Sequence, residues 1–421
     1  VSYVVAQHVS PRHNSLMVEL LAPRTNLAVE ELDEATTPRA DTIYVVPPNH
    51  DAEIKNGQLI PIDASAEAGP RPSIDRLFLA IAREFGEHSA GIVLSGTGRD
   101  GTHGLRAVKE ANGVALVQDP GSAEYNGMPN SAIQAGLADL ILTPERIGEA
   151  LQQTVCKIGK LRDNLPKNSN EVPDSVNQIY NTVKLQTNLD LRHYKGSTVL
   201  RRINRRALLA GCESLEAYAK HLDRTPQEAN LLAADLSVCV TEFFRDAEAF
   251  QALRGVIHGI LTDAQPREVI RIWVPGCATG EEAYSIAMIA DDVRRKERLA
   301  ADVLIFVSDI NPESVAYARR GVYPEAAVAH TPTEYVEAYF ERSKGEVTVS
   351  QNLRQNMVFA SQNVTTDPPF SKLDLISCRN LLIYLETATQ KQVLGAFHYA
   401  LKPDGYLFLG KSESVDVHRE L

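Results

Sequence analysis

What the 421-residue chain lacks narrows the reading first. It has 5 cysteines, at positions 156, 212, 239, 277 and 378, an odd number, widely spaced and without a Cys-x-x-Cys pair. That spacing supports neither a disulfide framework nor a zinc ribbon and fits a reducing cytosol, so a cytoplasmic protein without a bound metal is expected. No window approaches the roughly 18 consecutive apolar residues of a membrane span, and membrane insertion is not expected. A basic stretch followed by an apolar run and a cleavage site is missing from the start, which argues against a secretory signal. An initiator Met is missing too. Val1 opens a β-branched run, and the sequence is therefore expected to begin inside a longer protein. Positive charge is not in excess: 43 Lys and Arg face 54 Asp and Glu, a net charge of −11. A generic polyanion such as nucleic acid is thereby disfavoured as a partner. What remains is ordinary globular usage, 44% hydrophobic and 23% charged, with room for two or three domains.

Most of the acidic excess lies in residues 1–151. There, β-branched runs (Tyr3–Ala6, Thr42–Val46, Gln58–Ile62, Gly91–Ser95, Ala115–Gln118, Asp139–Leu142) alternate with helical stretches (Ser15–Ala22, Ile74–Phe85, Gly101–Glu110, Pro129–Ala135, Pro144–Leu151). This rhythm predicts an α/β sheet with crossover helices. Residues 152–172 are polar, contain Pro166 and read as a linker. Residues 173–243 have apolar positions recurring at three and four and read as a small all-helical module. Within 244–421 the α/β rhythm returns, with strands expected at Val269–Val274, Val303–Ser308, Met357–Ser361, Leu373–Ser377 and Gly405–Leu409.

The densest signal in that last segment is Arg271-Ile-Trp-Val-Pro-Gly-Cys-Ala-Thr-Gly-Glu-Glu-Ala-Tyr-Ser285. An apolar strand runs into Gly276 and Gly280, and a helix then opens on two acids. Small residues there let a ligand approach the backbone at the carboxyl end of a strand. The next strand ends in Asp309, the residue type that holds a pair of ribose hydroxyls. Glu281 and Glu282 occupy the helix N-terminus where a pyrophosphate would otherwise sit, so a ligand with a positive centre suits the pocket better. Further strings lie where this sheet presents its loops: Thr-Glu-Phe-Phe-Arg-Asp at 241–246, Ser-Asp-Ile at 308–310, Asp-Pro-Pro-Phe at 367–370, Ser-Cys-Arg-Asn-Leu-Leu-Ile-Tyr-Leu at 377–385 and Gly-Tyr-Leu-Phe-Leu-Gly-Lys-Ser-Glu-Ser at 405–414.

Taken together, residues from about Gln178 to Ser414 resemble the chemotaxis-receptor protein-glutamate O-methyltransferases, the CheR family. The resemblance implies a Rossmann-like domain that uses S-adenosyl-L-methionine, releases S-adenosyl-L-homocysteine and methylates glutamates on the cytoplasmic helices of chemoreceptors. By motif, Thr241 and Arg245 would contact the cofactor from the helical side. Gly276, Ala278 and Glu282 would line its amino-acid and ribose parts, Asp309 would hold ribose or adenine, and Asn363 and Val364 the adenine. Arg379 and Asn380 would sit at the methionine and substrate end, and Tyr384 near the transferred methyl. Arg245 and Arg379 are plausible orienters of carboxylates through paired hydrogen bonds. A glutamate is already ionised at neutral pH, so alignment rather than a general base is the main requirement. The family's sheet continues past the Ser-Glu-Ser motif, so the last strand here is expected to be an edge.

The helical module carries a basic stretch, Arg192 to Arg206, with six Lys or Arg and no acid. Arg201/Arg205 and Arg202/Arg206 are spaced by four and share a helix face. In an acidic chain this face is the expected docking surface for an acidic, helical receptor.

Residues 1–151 place His8 at the end of the first strand and Asp100 just after another, two members of a Ser-His-Asp set. With Arg71-Pro-Ser-Ile-Asp75, Ser95-Gly-Thr-Gly-Arg-Asp-Gly101 and Tyr125-Asn-Gly-Met-Pro129, they resemble the chemotaxis protein-glutamate methylesterases, the CheB family. His8 and Asp100 match that family's base and orienting acid. Its nucleophile is a Ser in a turn after a strand upstream of this one, which the sequence does not contain. Ser10, Ser15 and Ser95 are present, but none lies in a matching turn, and Thr97 stands where the family often has Met. The expectation is a truncated parallel α/β methylesterase-like unit without turnover, a helical module and a methyltransferase unit, with further signalling domains in the full-length chain. Two other readings stay open: a non-catalytic scaffold that binds cofactor and receptor, and a methyltransferase for a non-receptor carboxylate.

Overall fold

The computed structural model describes residues 1–8, 15–63, 71–152, 173–236, 241–265, 268–328, 331–343 and 346–415. Ser10 and all but the first residue of the expected linker 152–172 lie outside the described residues. The chain divides into two compact units, Val1–Leu165 and Pro166–Leu421.

In the first unit, β1 (Ser2–Val5), β2 (Ala28–Glu31) and β3 (Thr42–Val45) form a parallel sheet in the order β1-β3-β2. The hairpin β4 (His50–Lys55) and β5 (Gln58–Asp63) is antiparallel. A second parallel sheet follows in the order β6 (Ala90–Val93), β7 (Val114–Gln118), β8 (Leu140–Leu142). Helix Ile74–Phe85 begins where Ser73 accepts the N–H of Arg76 and buries Leu77, Phe78, Ala80 and Ala82, the three-and-four spacing of an amphipathic face. Sequence periodicity does not reveal β2 and β4, whose acids disguise the two-residue period. Asp51 on β4 is fully buried because Arg71 and Arg76 neutralise it and the Ser73 N–H donates to it at 2.8 Å.

The second unit opens with helices Asp174–Thr187, Gly196–Leu209, Leu215–Arg224 and Pro226–Leu236, packed through Val176, Ile179, Val183, Ile203, Tyr218 and Leu232. Helix Ala247–Asp263 leads into a five-stranded parallel sheet ordered β14-β10-β9-β15-β16. Its strands are β9 (Val269–Pro275), β10 (Asp302–Asp309), β14 (Met357–Ser361), β15 (Leu373–Cys378) and β16 (Leu401–Leu409). β16 stands at one edge. Between β10 and β14 the chain adds a small antiparallel sheet, β11 (Val322–Pro324), β12 (Phe340–Ser343) and β13 (Glu346–Val349), which the sequence pattern leaves unsignalled. The main sheet is covered on both faces. Phe250, Leu253, Ile286 and Ile289 pack with one cluster, Trp273, Phe306 and Phe397 with the other. That is why β9 and β15 read as continuous apolar runs.

Helical module and sheet are joined by a short backbone clamp. Tyr194 pairs with Leu385 as an antiparallel bridge, the Lys195 N–H donates to Tyr384 O at 2.9 Å and the Glu386 N–H to His193 O at 2.9 Å.

Candidate functional sites

Strand order reverses between β10-β9 and β9-β15, the place where open parallel sheets leave a crevice beyond their carboxyl ends. The loops that carry the sequence motifs converge there. After β9 the backbone turns through positive φ at Gly276 (65°), Ala278 (46°) and Gly280 (96°), and helix Glu281–Lys296 begins. A Cβ on Gly280 would stand 2.8 Å from the Ala318 Cβ, and one on Gly276 3.0 Å from Leu381, so both positions require glycine for space as well as conformation.

Asp309, at the end of β10, accepts the N–H of Ala278 at 2.9 Å and of Asn311 at 2.9 Å. It thus fastens the glycine turn to the neighbouring strand. Burial raises its pKa, and those N–H groups pull the other way. Glu282 accepts from Ser377 Oγ at 2.7 Å and faces Arg379 Nη1 at 3.4 Å. Burial raises its pKa against the opposing pull of Ser377, Arg379 and Arg245. Two acids thus line the turn, with their charge partly compensated from the far side.

Arg379 corrects one expectation. Its side chain is 1% exposed, with Nη2 2.5 Å from Asp246 and Nη1 donating to Arg245 O at 3.1 Å. The guanidinium also stacks on Phe250 (5.3 Å) and Phe408 (5.0 Å). Its forked end is therefore spent within the protein and does not offer a paired grip to a substrate carboxylate. Nε is buried and without a hydrogen-bond partner among the described residues. Asn363 is similar: its Oδ1 accepts from Thr365 N and Oγ1, while its buried Nδ2 has no partner among the described residues. Val364 beside it packs against the Trp273–Phe306 cluster.

Thr241 and Arg245 lie on the half-buried loop 241–246, which the Phe244 N–H ties to Ser285 Oγ at 3.0 Å. Phe244 and Asp246 sit at φ 54° and 63°, costly conformations for such residues. Asn380 is also left-handed, at φ 59°. Its N–H donates to Glu413 Oε2 at 2.8 Å, as does that of Gly410 at 2.8 Å, and Leu382 N–H donates to Glu413 Oε1 at 2.8 Å. Glu413, Ser377 and Asp246 thus hold the loop carrying Arg379 and Asn380, three roles the sequence reading missed although all three lie inside its motifs. An acid just after a strand, in Ser-Glu-Ser, was the available signal. Tyr384 sits in the turn Leu382–Tyr384, held at the clamp with the helical module.

The expected docking arginines divide. Arg201 is exposed, but Arg202, Arg205 and Arg206 are buried at 6%, 6% and 4% exposure. Arg205 pairs with Asp235 at 2.5 Å, and Arg206 grips Glu228 through Nε at 2.8 Å and Nη2 at 2.7 Å. Burial lowers the Arg202 pKa against the pull of Asp235. A four-arginine exposed face is not formed. Acids on helix Pro226–Leu236, invisible to a local count of charge, draw three of the four inward.

In the first unit, His8 Nε2 lies 2.7 Å from Asp100 Oδ2. Asp100 also accepts the N–H of Ile74 (2.8 Å), Asp75 (2.9 Å) and Gly101 (3.0 Å). Burial alone would raise its pKa, but the His8 bond and those N–H groups outweigh it and hold it below the ordinary value. Ser95 Oγ instead accepts from Tyr125 N at 3.0 Å. Among the described residues no serine hydroxyl bonds to the His8 ring.

Fold and crevice together define a Rossmann-like α/β unit that follows, in chain order, a smaller α/β unit. Residues 239–421 match the model described as CheR methyltransferase, SAM binding domain. Residues 174–237 match CheR methyltransferase, all-alpha domain, and 1–151 match CheB methylesterase. Chemotaxis protein methyltransferase 2 of Pseudomonas aeruginosa is 34% identical over 55% of this chain and 83% of its own length. A chemotaxis protein methyltransferase of Borreliella burgdorferi is 29% identical over 60% of this chain and 93% of its own. The chain belongs to the CheR methyltransferase family, with a CheB methylesterase-family unit ahead of it. A Rhodobacter capsulatus protein of 104.1 kDa is 34% identical over 95% of this chain, which spans 44% of that relative's length. Among the described residues no three His, Cys, Asp or Glu are grouped to hold a metal, and no helix is long and apolar enough to cross a membrane.

Proposed function

We propose that residues 173–421 transfer a methyl group from S-adenosyl-L-methionine to glutamate side chains on the cytoplasmic helices of chemoreceptors. The observation that carries this reading is the loop cluster at the strand reversal, which holds the buried Asp309, the half-buried Glu282 and two unsatisfied N–H donors, Asn363 Nδ2 and Arg379 Nε. That set suits a ligand with a cationic sulfonium and ammonium, ribose hydroxyls and acceptor atoms on adenine and carboxylate. Bound there, the cofactor supplies an electrophilic methyl. Asp309 would accept from ribose, Asn363 would donate to adenine with Val364 against its ring, and Glu282 would balance positive charge. Gly276 and Ala278 allow close approach, and Thr241 and Arg245 would close the helical side. Asn380 and Tyr384 would lie toward the substrate. A glutamate nucleophile needs no base, and the chain's task is alignment and exclusion of water.

Arg201, with Lys195 also exposed, is the part of the basic stretch open to an acidic receptor helix. His8 and Asp100 would serve as base and orienting acid of ester hydrolysis. We propose that residues 1–151, as this sequence stands, do not turn over a receptor methyl ester, because no described serine reaches His8. Ester hydrolysis lost on His8→Ala would overturn that.

The deciding experiment pairs calorimetry with S-adenosyl-L-methionine and transfer of a labelled methyl to receptor helices. Micromolar binding with transfer is expected. Binding without transfer to any carboxylate supports a scaffold, and no binding sinks the reading.

A further inference from the structure

The small antiparallel sheet β11-β13-β12 sends one side chain into the glycine turn after β9. We propose that Tyr323 on β11 is a positioning residue for cofactor binding: its hydroxyl tethers the Thr279 carbonyl and so holds the turn Gly276–Gly280 in the conformation that admits the ligand. The proposal rests on the reading of that turn as part of the cofactor site.

The turn needs tethers because its backbone is not one the chain adopts freely. Gly276, Ala278 and Gly280 all stand at positive φ, and at Ala278 (46°) a side chain makes that conformation costly. Inside the turn, the Gly280 N–H donates to Cys277 O at 2.9 Å. Strand β10 holds it from one side: Asp309 accepts the Ala278 N–H, and Ser308 O accepts the Cys277 N–H at 3.0 Å. Both of those bonds take N–H groups. A carbonyl of the turn is held by the Tyr323 hydroxyl, which donates to Thr279 O at 2.6 Å. Burial raises the Tyr323 pKa, so the phenol keeps the proton it donates.

Packing fixes the phenol in place. Tyr323 is fully buried and pairs in register with Val347 of β13. Its ring meets three others edge-on: Tyr317 at 5.6 Å, Tyr284 at 6.1 Å and Phe243 at 5.0 Å. Phe243 belongs to loop 241–246 and also meets Phe340 of β12 at 5.3 Å. The ring that tethers the turn thus also supports the loop that carries Thr241 and Arg245. A Cβ on Gly280 would stand 3.1 Å from the Tyr323 hydroxyl oxygen, so the approach of phenol to turn is close. Tyr284 supplies the contrast. It is equally buried and lies in the same aromatic group, but its hydroxyl donates at 2.7 Å to Ala318 O, in helix Pro312–Arg320 and outside the turn.

Tyr323→Phe and Tyr284→Phe each remove one buried hydroxyl and keep the ring. In the full chain, exchange of the Gly280 N–H is followed by NMR without cofactor. Calorimetry gives the Kd for S-adenosyl-L-homocysteine, and methyl transfer gives KM for the cofactor and kcat. In Tyr323→Phe the Gly280 N–H should exchange about tenfold faster, and Kd and KM should rise about tenfold, the effect of leaving one buried carbonyl without its donor. The kcat at saturating cofactor should stay within about twofold, because a loosened turn is restored once the ligand is bound. Tyr284→Phe should stay within about twofold of wild type in every one of these measures. Unchanged exchange or unchanged affinity in Tyr323→Phe overturns the proposal, and so does an equal shift in both variants. A wild type that binds no cofactor sinks the cofactor reading instead, and exchange at Gly280 still decides whether Tyr323 holds the turn.

Discussion

Glu413 fixes three backbone N–H groups with one side chain, and one of them belongs to the left-handed Asn380. Glu413→Gln turns an amide NH2 toward donors that need an acceptor. Affinity for S-adenosyl-L-methionine should fall about tenfold, the equivalent of one charge-assisted hydrogen bond, by calorimetry. Unchanged affinity would show that the Arg379–Asn380 loop holds its shape without this anchor. The acids at the glycine turn predict a pH dependence with a definite sign. The pKa values of Glu282 and Asp309 are raised by burial, so the anions proposed to bind the cofactor are lost at a higher pH than for ordinary carboxylates. Cofactor affinity should weaken on acidification before pH reaches the usual carboxylate range, as a titration of Kd against pH will read. Asp75 acts on stability in the opposite sense. Burial and the neighbouring Asp100 charge push its pKa up to about 7 in the folded chain, whereas the unfolded chain releases the proton near the ordinary carboxylate value of 3.8. The stability of wild type relative to Asp75→Asn is therefore fully present below the unfolded pKa and lost as pH rises through the folded one, measurable by urea unfolding.

At the scale of elements, helix Gly196–Leu209 overturns the simplest use of charge patterning. Spacing by four does put Arg202 and Arg206 on one face, but that face looks inward, onto Glu228 and Asp235. Arg206→Ala leaves the buried Glu228 uncompensated and should cost about 3–5 kcal/mol in urea unfolding. Arg201→Ala, at an exposed position, should stay within about 0.5 kcal/mol and still weaken receptor methylation. Equal destabilisation by the two would contradict the ion-pair account. The helices themselves were legible because apolar spacing, as in Val176, Ile179 and Val183, is a local signal. The antiparallel sheet β11-β13-β12 was not, since its strands of three and four residues are too short to display a period.

At the scale of the molecule, two units with separate cores carry the two family resemblances. Heat unfolding is expected in two steps rather than one. S-adenosyl-L-homocysteine at about 100 times its Kd should stabilise one of them by about 2.7 kcal/mol. Hydrogen exchange should slow around Gly276–Glu282, Asp309, Asn363 and Arg379–Asn380, and protection of residues 1–151 instead would place the cofactor in the wrong unit.

The sequence by itself determined the order of the units, the strands buried on both faces and the motif residues at their carboxyl ends. Each of these is written in local patterns: apolar runs, glycine where φ is positive, acids after strands. Which face of the basic helix meets water, that Arg379 is engaged by Asp246 and Glu282 and that Glu413 anchors the Arg379–Asn380 loop were decided only by tertiary structure. The reason is that each depends on a partner tens of residues away, and a charge, unlike an apolar period, has no direction until its partner is in place.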